Sequence, residues 1–223
     1  HDALPIYEPN VMAQKAVEKV KLGFDTLKIK VGTGIEADIA RVKAIREAVG
    51  FDIKLRLDAN QAWTPKDAVK AIQELADYQI ELVEQPVKRR DLEGLKYVTS
   101  QVNTTIMADE SCFDAQDALE LVKKGTVDVI NIKLMKCGGI HEALKINQIC
   151  ETAGIECMIG CMAEETTIGI TAAAHLAAAQ KNITRADLDA TFGLETAPVT
   201  GGVSLEAKPL LELGEVAGLG ISH

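Results

Sequence analysis

Lys54-Leu-Arg-Leu-Asp58-Ala-Asn60 alternates polar and apolar side chains and ends on a carboxylate, and two later stretches repeat the design. Ile80-Glu-Leu-Val-Glu84-Gln-Pro86 ends its apolar run on Glu84, and Thr105-Ile-Met-Ala-Asp109-Glu110 ends on Asp109, so the acidic residues stand 26 and 25 residues apart. Working outward, Lys30 closes Thr26-Leu-Lys-Ile-Lys-Val31, 28 residues before Asp58, and Lys133 closes Val129-Ile-Asn-Ile-Lys133, 24 residues after Asp109. A repeat of this length holds one strand and one crossover helix. In a parallel β/α barrel the strand C-termini converge on one face, which carries the active sites of that fold. The spacing therefore predicts an α/β protein of the TIM-barrel type with Asp58, Glu84 and Asp109 at its mouth, flanked by Lys30 and Lys133.

The rest of the chain alternates in the same way. Ile35, Ile39, Val42, Ile45 and Val49 recur at helical steps and stop at Gly50, and Thr64-Pro65-Lys66-Asp67 has the chemistry of a helix start. Helices are expected over Val11 to Leu22, Asp91 to Val102, Asp114 to Lys124, Ile140 to Ala153 and Ile168 to Ala179. Strands are expected near Glu156 to Gly160 and Ala186 to Ala190. Seven strands are clear, and the eighth falls to Ala3–Tyr7, short and weakened by Pro5. A single barrel domain over residues 1–223 is the expectation, with no linker or second domain.

Strand parity then sorts the side chains. Lys28 shares a face with Lys30, Lys54 and Arg56 with Asp58, Asn131 with Lys133, and Asp187 with Asp189, while the apolar partners face the helices. So many charges inside a barrel imply pairing or a bound ion. Carboxylates without a histidine or cysteine among them suit magnesium, with manganese as the alternative, and argue against zinc. A lysine acts as base only if its pKa falls, and burial beside a second cation, Lys28 next to Lys30, pushes that way.

At 47% hydrophobic residues and a net charge of −9, the chain suits a globular protein and disfavours nucleic acid or an anionic membrane as partner. Its apolar runs fall short of the roughly 18 residues of a membrane helix. Cys112, Cys137, Cys150, Cys157 and Cys161 are odd in number and embedded in predicted elements, so reduced thiols and a cytoplasmic setting are expected. Nothing here argues against a homo-oligomer.

Taken together, Lys28-Ile-Lys30, Asp58-Ala-Asn60, Glu84-Gln-Pro86, Asp109-Glu-Ser111 and Lys133-Leu-Met-Lys-Cys-Gly-Gly139 resemble the muconate-lactonizing-enzyme subgroup of the enolase superfamily. The resemblance implies a (β/α)7β barrel, a magnesium ion on Asp58, Glu84 and Asp109, and Lys30 and Lys133 as acid and base on opposite faces of a substrate α-carbon. Lys28 would assist the substrate carboxylate. Asp187-Leu-Asp189 is similar to the Asp-x-Asp pair of dipeptide epimerases of the L-Ala-D/L-Glu type, implying that Asp187 and Asp189 bind the ammonium of a dipeptide.

The mandelate-racemase branch uses a histidine from strand seven, and Glu156–Met162 has none. The family also implies an N-terminal capping domain ahead of the barrel. Only nine residues precede Asn10, so a barrel without its cap, and with weakened activity, is the expectation. A same-site lyase or cycloisomerase, of the o-succinylbenzoate synthase or muconate cycloisomerase type, and a non-catalytic excised or engineered barrel remain as alternatives. A Schiff-base role for Lys133 would leave the carboxylates without a task. Gly138-Gly139 reads as a tight turn, Glu164 and Glu165 as candidates to line the pocket, and His141 and His175 as bystanders in helices.

Overall fold

Leu27 and Ile29, like Leu55 and Leu57, sit on one strand face and are fully buried against the helices, which is what fixes these segments as strands. The computed structural model describes residues 2–163, 165–190, 199–203 and 210–222. Strands and helices alternate: β1 (Asp2–Leu4), α1 (Pro9–Lys21), β2 (Thr26–Lys30), α2 (Ile35–Val49), β3 (Lys54–Asp58), α3 (Pro65–Glu74), β4 (Ile80–Glu84), α4 (Leu92–Gln101), β5 (Thr105–Ala108) and α5 (Ala115–Lys124). They continue as β6 (Val129–Lys133), the short α6 (Leu134–Cys137), α7 (Ile140–Ala153), β7 (Glu156–Gly160), α8 (Thr167–Ala179) and β8 (Ile183–Asp187). A small antiparallel pair, β9 (Thr200–Gly201) and β10 (Ile221–Ser222), follows.

The first eight strands form one parallel sheet in sequence order, the arrangement of a β/α barrel. Across the two ends of that order, the Ala3 amide donates to Asp189 Oδ2 at 3.0 Å, and Lys28 Nζ on β2 reaches Asp187 Oδ2 on β8 at 2.9 Å. Helix starts follow local chemistry. Thr64 Oγ1 accepts from the Asp67 amide, Asp91 Oδ1 from Gly94 and Asp114 Oδ1 from Asp117, so three helices are capped by side chains.

Three expectations need correction. α1 starts at Pro9, ahead of Asn10, because the fixed φ of proline suits a first helical turn. β1 is Asp2–Leu4, ending before Pro5, which cannot donate to a ladder. β8 runs Ile183–Asp187 rather than Ala186 to Ala190, so Asp189 lies beyond the strand rather than within it.

Beneath the mouth, Leu82, Met107, Val129 and Met158 form a separate apolar cluster that floors the barrel interior. Arg56 lies in this interior, with Nε 2.6 Å from Glu81 Oε2 and Nη1 3.8 Å from Met158 Sδ. A bulge between β3 and β4 pairs Leu55 with Ile80 but Arg56 with Leu82, skipping Glu81 in the register. Lys54, expected inside by parity, is exposed as the first residue of β3. All five cysteines are free thiols. Among the described residues no helix is long and apolar enough to cross a membrane.

Candidate active site

Parallel pairing aligns Lys30 with Asp58 and Asp58 with Glu84, so the last residues of β2, β3 and β4 stand side by side at one rim. Asp109 follows the last residue of β5, and Lys133 ends β6. β2 and β6 are four places apart among eight strands, hence opposite one another in a closed barrel. The two lysines therefore approach the mouth from opposite sides, with the carboxylates of three intervening strands between them.

The ion pairs are dense. Lys28 Nζ lies 3.1 Å from Asp58 Oδ2, 2.7 Å from Glu84 Oε2 and 2.9 Å from Asp187 Oδ2. Lys30 Nζ is 2.6 Å from Asp58 Oδ2, and Lys133 Nζ is 2.7 Å from Asp109 Oδ2. Asp58, Glu84, Asp109 and Lys28 are buried, whereas the Lys30 side chain keeps 32% of its surface exposed.

Burial alone would pull Lys28 down, but Asp187, Glu84 and Asp58 outweigh it and hold its pKa well above the usual lysine value. Lys133 follows the same pattern: burial is overcome by Asp109 and Glu84, and its pKa is raised. For Asp109, burial is overcome by Lys136 and Lys133, which hold the carboxyl well below its usual range. Glu84 goes the other way. Burial first, and then the Asp58 charge, push it up to about 8 against the pull of Lys28. Spacing places Lys28 beside Lys30 as a second cation, and the fold adds three carboxylates around it that spacing does not announce.

Several residues gain a role that spacing alone did not give them. Lys136, one turn after Lys133 on α6, puts Nζ 2.5 Å from Asp109 Oδ1 and 3.0 Å from the Asn131 carbonyl. It sat within the quoted lysine-glycine motif, and the turn after β6 is what swings it back. Gln85 is fully buried at φ 39°, accepting from the Asp109 and Ser111 amides and donating to Ser111 Oγ, so it ties the end of β4 to the end of β5. Lys30 Nζ also donates to Asn60 Oδ1 at 2.9 Å, and Asn60 Nδ2 donates to Glu110 Oε1 at 3.1 Å.

The remaining candidates divide. Asp187 joins the ion-pair cluster, while Asp189 accepts from the Ala3 amide and lies 3.7 Å from Cys161 Sγ. Glu165 Oε2 accepts from the Met162 amide within its own loop, and Glu164 lies outside the described residues. Gly138 and Gly139 take φ of 81° and 121° in the turn between α6 and α7. His141 and His175 fall on α7 and α8.

As they stand, no three Asp, Glu, His or Cys side chains among the described residues converge closely enough to hold a metal ion. The Lys28 ammonium lies between Asp58 and Glu84. The donor set nevertheless fits a hard divalent cation, being all carboxylate oxygen from three adjacent strand ends.

Fold and site together define a β/α barrel whose mouth is a row of carboxylates between opposed lysines. The chain belongs to the Enolase C-terminal domain-like family, which it matches over residues 11–223. It is 98% identical over 220 residues to the hydrophobic dipeptide epimerase of Enterococcus faecalis strain V583, covering 99% of this chain and 62% of that protein. It is 52% identical to the L-Ala-D/L-Glu epimerase of Bacillus subtilis strain 168, covering 97% of this chain and 59% of the relative. The crystal structure of the Enterococcus faecalis V583 dipeptide epimerase with Mg and the dipeptide L-Leu-L-Tyr superposes at a TM-score of 0.98 with 97% identity, covering all of this chain and 63% of that one. The chain thus spans about three fifths of the length of these relatives.

Proposed function

We propose that this barrel carries the acid–base and metal-binding half of a dipeptide epimerase acting on hydrophobic dipeptides. One observation carries the reading: Lys30 and Lys133 end strands on opposite sides of the barrel, each with its ammonium on a carboxylate of the intervening row. A substrate α-carbon held between them would lose its proton to one lysine and regain one from the other on the opposite face. Asp58, Glu84 and Asp109 would hold magnesium, or manganese, which when bound supplies positive charge for the substrate carboxylate.

The charge count supports an anionic group there. Four ammoniums face four carboxylates: Lys28 bridges Asp58, Glu84 and Asp187, Lys30 also pairs with Asp58, and Lys133 and Lys136 share Asp109, so the cluster is neutral overall when all eight groups are ionised. A divalent cation would leave the cluster with surplus positive charge, which a substrate carboxylate offsets. Lys28, at the centre of the cluster, adds to that field. Asp187 and Asp189, near the end of β8, are suited to the ammonium of the dipeptide. The raised pKa of Lys133 in the present arrangement describes a proton donor. Neutralising Asp109 and Glu84 would remove much of what holds it high, and so allow the basic role.

Proton NMR in deuterium oxide with a dipeptide set that includes L-Leu-L-Tyr tests the reading. Metal-dependent loss of an α-proton signal is the expected result, and its absence across all dipeptides and both metals would defeat it. Assayed as the 223-residue polypeptide, exchange is expected to be slow, because Lys30 is a third exposed and a water-filled mouth weakens every electrostatic contact. Asp109→Asn is expected to weaken magnesium binding by about a hundredfold or more, measured by calorimetry on protein shown to be folded by circular dichroism. Unchanged affinity would remove Asp109 from the metal site.

A further inference from the structure

Asn131 lies inside the barrel on β6, two residues before Lys133, and is completely buried. Its Nδ2 donates to Glu84 Oε1 at 2.8 Å. With Glu84 ionised, as it would be when holding a cation, its oxygen accepts and the amide nitrogen, the only donor on the Asn131 side chain, must face it. That choice leaves Asn131 Oδ1 buried with no hydrogen-bond partner among the described residues. Leaving such an acceptor unsatisfied is costly, so the donor bond to Glu84 has to be worth keeping.

Across the ladder, Gly160 on β7 provides the room. A Cβ at that position would sit 2.6 Å from Asn131 Oδ1 and 2.9 Å from Nδ2, closer than real contacts allow. Its backbone is not in the positive-φ region, so conformation does not demand glycine there. Space for the Asn131 amide does.

We infer that Asn131, with the space left by Gly160, is a positioning residue that aims the Glu84 carboxylate for divalent-cation binding. The role rests on the metal-binding reading proposed above. One Glu84 oxygen is taken by the amide while the other, now paired with Lys28, is left for a cation. A fixed rotamer lowers what must be ordered when a metal binds.

Magnesium calorimetry on the 223-residue chain and three variants tests this. Asn131→Leu keeps the volume and removes the donor; Asn131→Asp keeps the shape and replaces the donor with an acceptor. Gly160→Ala leaves Asn131 in place chemically but displaces it. Each is expected to weaken magnesium affinity by about tenfold, the Asp variant most, because it adds like charge beside Glu84. The metal-free readout is the Asn131 side-chain amide in 15N–1H NMR, expected to be slow to exchange in the wild type and fast in Gly160→Ala.

Wild-type magnesium affinity in both Asn131→Leu and Gly160→Ala would overturn the inference and leave the metal site standing. An Asn131 amide that exchanges freely in the wild type would overturn it on structural grounds. A wild-type chain that binds no divalent cation would defeat the metal-binding reading itself, and this role with it.

Discussion

Lys133→Ala is expected to abolish net epimerisation, with a loss of about a thousandfold or more, while α-proton exchange survives from one substrate isomer only. Lys30→Ala should show the complementary pattern, sparing the isomer that Lys133→Ala silences. The expectation follows from the placement of the two lysines at the ends of β2 and β6, on opposite sides of the barrel. A proton on one face of an α-carbon is within reach of one lysine and shielded from the other by the substrate itself.

The Lys133 variant also leaves Asp109 paired with Lys136, so the buried carboxylate is not stranded and the fold should survive. Lys30 is partly exposed, and its loss leaves Asp58 with Lys28. Isomer-resolved exchange in deuterium oxide makes the measurement. Two variants that both exchange both isomers at wild-type rates would refute the opposed-lysine reading, whatever their overall stability.

The row of strand ends was legible because two independent signals agreed. The period of about 25 residues fixed where each strand ended, and parity fixed which face its last residue took. Neither depends on tertiary detail, so Lys30, Asp58, Glu84, Asp109 and Lys133 could all be read directly. Where tertiary detail entered, the reading failed. Glu81 lies at a bulge that pairing alone creates, and its ion pair with Arg56 could not be foreseen from alternation. The Asp-Leu-Asp pattern drew the last strand toward residues 186–190, whereas the β-branched Ile183 and Thr184 mark its true start. Lys136 depends on the short turn of α6, and Gln85 on a left-handed backbone after β4; neither has a period to announce it.

Arg46→Ala is expected to cost about 4 kcal/mol of stability, seen as a fall of roughly 10 °C in Tm by circular dichroism. Among the described residues Arg46 is the largest fully buried side chain, 2% exposed, and its hydrogen bonds go to backbone carbonyls rather than to a carboxylate. Its guanidinium donates to the carbonyls of Gly50 and Ile53 at 2.6 Å each, of Tyr78 at 2.9 Å and of Gln79 at 3.1 Å, and lies 5.1 Å from the Phe51 ring centre. Burial lowers its pKa, as an ion without a counter-charge should show. These carbonyls belong to the segments that lead into β3 and β4, so one side chain sets the entry of both strands. Removing it leaves several of them without partners at about 1–3 kcal/mol each, partly offset by water entering the space. Arg46→Lys keeps the charge but loses the planar fork, and should recover only part of the loss. A cost below about 1 kcal/mol for the alanine variant would show that water replaces the fork at little penalty. Because these contacts sit at the N-terminal rim, opposite the carboxylate row, Arg46→Ala should leave the magnesium affinity of the folded chain unchanged. Asp109→Asn should lose magnesium affinity at the other rim, so the two variants separate the end of the barrel that supports the fold from the end that carries the chemistry.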